Sequence, residues 1–213
     1  VALLDSINAI RQWLVQLERE ARELQTPSSQ SDAQTSPESQ DQGDNTQIAW
    51  GAKVSSTFKD RVVWIADSLG CSADDLMACM AWESAETFRS DIKNAAGSGA
   101  TGLIQFMPKT AIGLGTTVEL LAKMSPEDQL KYVYFYFKPW AGKLHNLGDV
   151  YMTILWPAAV GNDDRFVLFD RKKTPTTFRQ NAGLDVNKDG LVTRGECLIK
   201  VNEKLQKGLK LKG

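Results

Sequence analysis

The chain has 213 residues, of which 42% are hydrophobic and 24% charged, proportions that exclude a wholly disordered polymer or a fibrous repeat. With 25 Lys and Arg against 26 Asp and Glu, the net charge is −1, and the whole chain has no electrostatic footprint for nucleic acid. No run of 18 apolar residues occurs, so no membrane span is expected, and the three cysteines (Cys71, Cys79 and Cys197) match neither a disulfide framework nor a zinc spacing and read as buried thiols.

That near-neutral total is the sum of two opposite pieces. Residues 1–47 hold eight acids and three arginines, net −5, which leaves +4 for residues 48–213. The first segment has none of the basic start and apolar core of a signal peptide. Instead Leu3, Ile7, Ile10, Leu14, Leu17, Ala21 and Leu24 alternate in steps of four and three. This spacing predicts a helix over 1–25 with a heptad seam, an assembly anchor that self-associates or binds a partner through residues 3–24. The same periodicity also suits an amphipathic helix folded onto its own domain. Residues 26–47 contain no aromatic, branched aliphatic or basic residue, so an acidic linker is expected, with a coil span of about 25 Å.

From Ile48 helical signals dominate. Phe58, Val62, Ile65, Ala66 and Leu69 form one stripe that Gly70 ends. Ser72-Ala-Asp-Asp75 caps a second helix, in which Leu76, Cys79, Met80 and Glu83 follow at helical spacing. Ser125-Pro126 opens another, with Leu130, Val133, Tyr134 and Phe137 on one face. No clear alternating strand is present, and residues 48–213 read as one mainly α domain.

Glu83 stands where the apolar stripe continues, beside Trp82. Desolvation raises a carboxyl pKa, as a general acid working near neutrality requires, although most glutamates near a helix end are simply solvated. Gly97-Ser-Gly-Ala-Thr-Gly102 formally matches a dinucleotide-binding fingerprint, but the polar stretch before it is no buried strand, so it reads as a tight loop bringing backbone close to another group. His145 is the sole histidine, and no Ser-His or Cys-His nucleophile can be placed.

Glu83-Ser84, Phe88 and the run Asn94-Ala-Ala-Gly-Ser-Gly-Ala-Thr-Gly-Leu-Ile-Gln105-Phe-Met-Pro108-Lys-Thr-Ala111 together resemble the signature of the lytic transglycosylase (SLT, goose-lysozyme-like) family, in the variant of phage virion-associated muralytic domains. The motif is dense over 83–111 and looser across 50–180. The resemblance implies a lysozyme-like fold and cleavage of the β-1,4 bond between N-acetylmuramic acid and N-acetylglucosamine in peptidoglycan. It implies that Glu83 acts as acid and then as base, that Ser84 and Gln105 hold Glu83 or the sugar, and that Phe106 and Met107 shape the cleft. The attacking group would be the sugar's own 6-hydroxyl. Hydrolysis through a carboxylate pair would need Glu86 or Asp91, for which no spacing argument exists. The chain departs from the family at residues 149–161, which lack the Tyr-Asn pair many members carry; Tyr151 and Trp156 remain as sugar-stacking faces or as core. Anhydro and hydrolysed products both stay open.

A second signal is independent. Asp185-Val-Asn187-Lys-Asp189-Gly190-Leu191-Val-Thr-Arg-Gly-Glu196 satisfies the EF-hand-like calcium-loop template at every fixed position. Asp185, Asn187, Asp189, the Leu191 carbonyl and Glu196 suit a hard cation, so a structural Ca²⁺ is expected to pin the C-terminal segment, with a metal-free Asx-turn loop as the plain alternative. Lys200, Lys204, Lys207, Lys210 and Lys212 make the tail basic. Anchor, linker and motif together point to a phage tail or virion component acting on the periplasmic cell wall. The rival readings are a non-catalytic glycan-binding or structural virion module and a calcium-responsive interaction protein.

Overall fold

A computed structural model describes residues 47–95 and 97–213. The chain divides into two units, Val1–Gly43 and Asp44–Gly213, and every described residue belongs to the second. The expected anchor over 1–25 and linker over 26–47, apart from Gln47, lie outside the described residues.

The described unit is mainly helical. Helix α1 (Ser56–Leu69) starts where the Ser55 hydroxyl accepts the Phe58 N–H at 3.1 Å, and stops at Gly70, whose φ of 68° suits glycine. Its buried face is Phe58, Val62, Ile65, Ala66 and Leu69, the stripe that periodicity predicts. Helix α2 (Ala73–Glu83) is capped by Ser72 and differs from the one-sided expectation, because all of Leu76–Ala81 is buried. No charge occurs between Asp75 and Glu83, so this helix can be enclosed on every side; α1, α6 and α8 surround it.

Two short helices, α3 (Pro108–Gly113) and α4 (Val118–Leu121), lead to α5 (Pro126–Phe137), where Ser125 caps and Pro126 occupies the first turn. Helix α5 buries Gln129, Leu130, Val133 and Phe137, while Tyr134 stays half-buried beside the exposed Trp64, ring centroids 5.1 Å apart. Then follow α6 (Leu147–Leu155), β1 (Val167–Asp170), α7 (Pro175–Gln180), β2 (Leu191–Thr193) and α8 (Arg194–Gly208). The two strands pair antiparallel, with Val167 opposite Thr193 and Asp170 opposite Leu191. They were not expected from the sequence: runs of four and three residues are too short to display a two-residue period.

The two ends of the described unit meet. The Trp50 side chain is fully buried and donates from Nε1 to the Lys204 carbonyl at 3.0 Å, while its backbone N–H reaches the Gly208 carbonyl at 3.0 Å. A Cβ on Gly208 would stand 2.3 Å from the indole, so only glycine lets the ring lie there. Helix α8 is therefore held along its length, from the acidic loop that starts it to the indole at its end. Among the described residues no helix is long and apolar enough to cross a membrane. The three cysteines are free, and burial pushes the Cys71 and Cys197 thiols up to about 12.

Candidate functional site

Glu83 is the last residue of α2 and is only partly exposed. Desolvation lifts its carboxyl from an ordinary 4.5 to about 7, with no neighbouring charge among the causes. Among the described residues no side chain hydrogen-bonds or ion-pairs with it. Its enclosure is aromatic. Tyr151 on α6 and Tyr136 on α5 both feel the Glu83 charge, and burial together with that charge raises each phenol, Tyr136 to about 12. The Tyr151 hydroxyl accepts the Trp82 indole N–H at 3.0 Å, and the Tyr136 hydroxyl donates to the Thr153 carbonyl at 2.8 Å. Helix α6 thus holds one tyrosine by its own backbone and supplies the other.

The turn after Glu83 is strained. Ala85, Glu86 and Phe88 adopt φ of 52°, 65° and 51°, left-handed conformations that cost a non-glycine residue roughly 1–2 kcal/mol each. The surroundings hold them there. The Glu86 N–H donates to the Ala81 carbonyl at 2.7 Å, the Phe88 N–H donates to the Ser84 hydroxyl at 3.0 Å, and the Phe88 ring packs between Trp50 and Phe58. The Glu86 carboxylate lies between the Lys204 and Lys207 ammonium groups of α8, 2.5 Å from each, which lowers its pKa. Asp91 is paired with Arg89 at 2.7 Å. Each sequence candidate for a second carboxylate is therefore already engaged.

Beyond the turn, isolated bridges pair Lys93 with Thr101 and Thr101 with Phe106 and so close a loop. Gly102, at φ 86°, is the point of closest approach: a Cβ there would stand 2.2 Å from the Gln129 carboxamide oxygen. That oxygen accepts the Leu103 N–H at 2.7 Å, and the Gln129 amide donates to the Ser90 and Leu121 carbonyls at 3.0 and 2.9 Å. One fully buried glutamine thus satisfies three backbone groups of the loop and its neighbours. The Gly-rich segment was expected to bring backbone close to another group, and that group is Gln129.

The residues singled out in the sequence fall into two sets. Glu83 and Tyr151 come together, and Phe106 joins them through its edge contact with Tyr136, centroids 6.2 Å apart. Met107, 47% exposed, sits at the loop's outer end. Ser84 is fully buried, and its hydroxyl accepts the Phe88 N–H, so it serves the turn and has no access to a sugar. Gln105, in a left-handed conformation, donates its amide to the Ile92 and Gly102 carbonyls at 3.2 Å each, and these bonds tie it to the loop in place of Glu83. Trp156, 37% exposed, packs edge-on against Phe169, with no contact placing it at Glu83. Sequence reasoning missed Tyr136 and Gln129. Both sit on α5, and only the aromatic run 132–137 hinted at the first, while nothing in its spacing distinguishes Gln129 from a surface residue.

The acidic loop 185–196 forms a separate site. Asp185 Oδ2 accepts the Gly190 N–H at 3.1 Å and lies 3.5 Å from the Arg171 guanidinium. Asn187 Oδ1 accepts the Asp189 N–H, Asp189 Oδ1 accepts the Leu191 N–H, and the Glu196 carboxylate accepts from the N–H groups of Val186 and Thr193. Among the described residues no three His, Cys, Asp or Glu side chains are gathered closely enough to hold a metal. Two buried atoms of the loop lack a hydrogen-bond partner, Asp185 Oδ1 and, on the outward-turned Arg194, its Nε. A buried carboxylate oxygen so placed is costly unless a cation faces it, and the loop's donors are all oxygens, as a calcium-type ion requires. Compared with known proteins, the chain matches no family model and no curated sequence.

Proposed function

We propose that residues 48–213 are a lysozyme-like peptidoglycan lytic transglycosylase in which Glu83 alone does the proton work. The observation carrying this reading is the Glu83 carboxyl: desolvated, about half protonated at neutrality, and without a charged partner. In its acid form Glu83 donates its proton to the bridging oxygen as the glycosidic bond breaks. The resulting carboxylate then takes the proton of the muramyl 6-hydroxyl as that oxygen closes on the anomeric carbon. Atoms balance without water, and the product is a 1,6-anhydro sugar. The ion pairs of Glu86 and Asp91 favour this route over hydrolysis, which needs a second free carboxylate or a base-activated water. Of the side chains expected at the sugar, Met107 stays exposed at the loop's end, whereas Phe106 and Tyr151, 1% and 3% exposed, back Glu83 from within the core and do not reach a sugar. Incubation with purified peptidoglycan followed by mass spectrometry tests the route: fragments lighter by one water than hydrolysed ends are expected, and fully hydrated ends would refute it.

The loop 185–196 is proposed as a structural EF-hand-like Ca²⁺ site, held by Asp185, Asn187, Asp189, the Leu191 carbonyl and Glu196. A bound cation supplies charge to the buried Asp185 Oδ1. Its role is stability, since β2 and the start of α8 grow directly from the loop. Calcium at 100 times its dissociation constant should stabilise the fold by about 2.7 kcal/mol. Chelation should therefore lower the melting temperature of the native chain by several degrees, and Asp185→Ala should remove that response. An identical melting curve with and without chelator would rule the site out. Placement on a phage tail or virion, through residues 3–24, is part of the same proposal and is tested by deleting residues 1–25 and asking whether the protein still associates with particles.

A further inference from the structure

Arg194 is the tenth residue of the acidic loop, yet it points away from the loop oxygens and is 4% exposed. Its Nη2 donates to Asp149 Oδ1 and to Asn146 Oδ1, both at 3.0 Å, and its Nη1 donates to Asp164 Oδ1 at 2.6 Å. Asn146 is the N-cap of α6, and Asp149, itself buried, lies in the first turn. Asp149 is a junction: its two carboxylate oxygens also accept the N–H groups of Gly161 and His145. A Cβ on Gly148 would stand 2.2 Å from Arg194 Nη2, so α6 has a glycine where the guanidinium lies against it. The same helix, two and four residues beyond Asp149, carries Tyr151 and the Thr153 carbonyl, the two groups that fix the aromatic wall around Glu83.

We infer that Arg194 is a positioning residue that transmits the order of the 185–196 loop to α6, and through Tyr151 and Thr153 to the enclosure of Glu83. The geometry is a relay of short steps. The Arg194 backbone is fixed by its N–H bond to the Phe166 carbonyl at 2.8 Å, next to the β1–β2 pair that the loop sustains. Arginine suits this place because its rigid fork can meet Asp149, Asn146 and Asp164 at once, which a lysine ammonium cannot. Loosening the loop frees the guanidinium, and α6 then loses the buried partner of Asp149. Loops that bind cations are stabilised by occupancy, so the relay makes the Glu83 enclosure responsive to the cation proposed above. Among the described residues the titratable groups that feel the Glu83 charge are Cys79 from α2, Tyr136 from α5 and Tyr151 from α6, none of them a cation. Tightness of that wall is therefore what sets the carboxyl's surroundings.

The effect on turnover rests on the reading of Glu83 as the acid, but the relay does not, and the test separates them. Amide hydrogen exchange is followed in segments 147–155 and 185–196 of the full chain, with calcium or with EGTA. The Glu83 titration is read by infrared difference against Glu83→Gln. In Arg194→Met, exchange over 147–155 should rise about tenfold or more, and the Glu83 midpoint should fall by about one unit toward an ordinary carboxyl, with Arg194→Lys between the two. EGTA should speed both segments in the wild type, but only 185–196 in Arg194→Met. On peptidoglycan, kcat should fall while KM stays within about twofold. Should Arg194→Met fail to fold, Asp149→Asn combined with Arg194→Met removes the unpaired buried charge and is read the same way. Unchanged exchange over 147–155 together with an unchanged Glu83 midpoint overturns the relay. EGTA that leaves 147–155 of the wild type unmoved overturns its link to the cation. Cleavage retained by Glu83→Gln would sink the catalytic reading alone, since exchange and titration still judge Arg194.

Discussion

Glu83→Gln is expected to lower peptidoglycan cleavage by about 10²–10⁴-fold, the usual contribution of a positioned general acid and base. Glutamine has nearly the same shape and cannot donate the proton, so binding should survive while turnover is lost. The pH dependence follows from the raised carboxyl. Glu83 must be protonated to start the reaction, so kcat/KM of the wild type should decline as pH rises through about 7. Equal loss of turbidity with both proteins would remove Glu83 from the chemistry.

The same substitution should stabilise the fold, in a pH window set by the two states of one group. An unfolded Glu83 ionises near 4.5, whereas the folded one retains its proton to about 7. Between those values the folded state binds more protons, so stability falls as pH rises through the window and stays lowered above it. Gln at 83 removes this penalty. Glu83→Gln should match the wild type at pH 4 and exceed it at pH 8 by roughly 3 kcal/mol in urea unfolding, an order-of-magnitude figure from the shift. No gain at pH 8 would mean that the ionised carboxylate is adequately solvated, and the basis for its acid role would weaken with it.

Gly102→Ala is the second large expected effect. A side chain at φ 86° is strained by about 1 kcal/mol, and its Cβ would stand 2.2 Å from the Gln129 oxygen. The carboxamide must then leave, which deprives the Leu103 N–H and the Ser90 and Leu121 carbonyls of their partners. Each buried group left unpaired costs about 1–3 kcal/mol, so a total of at least about 4 kcal/mol is expected, with loss of order over 97–106. Gln129→Ala removes the same bonds without the clash and should cost about as much. The two effects share one cause, so the double variant should fall well short of their sum. Additive losses in the double-mutant cycle would show that glycine and glutamine act separately.

Much of the architecture was legible in the sequence because it depends on neighbours in the chain. The stripe from Phe58 to Leu69, its stop at Gly70, and the caps at Ser72 and Ser125 follow from periodicity and from side-chain oxygens meeting backbone N–H groups three residues on. Burial of the whole run Leu76–Ala81 is latent in its lack of charge, but the spacing of Leu76, Cys79 and Met80 marks only one face. The strands escaped notice because three or four residues carry too few alternations to register.

The candidate site divides along the same line. The chain alone marked Glu83 as a carboxyl on an apolar face, Gly102 as part of a close approach, and residues 185–196 as a ring of oxygens, because each signal lies within a few positions. Only the tertiary structure could pair Glu86 with Lys204 and Lys207, set Gln129 beneath Gly102, turn Ser84 and Gln105 inward to hold backbone, and carry Arg194 to Asp149. These partners are separated by 26 to 121 positions or are diverted by a single backbone turn, and nothing in local spacing encodes which distant group a buried donor will meet. Sequence periodicity determines which faces turn inward; the packing of those faces decides which polar groups share the space between them, and so what surrounds Glu83.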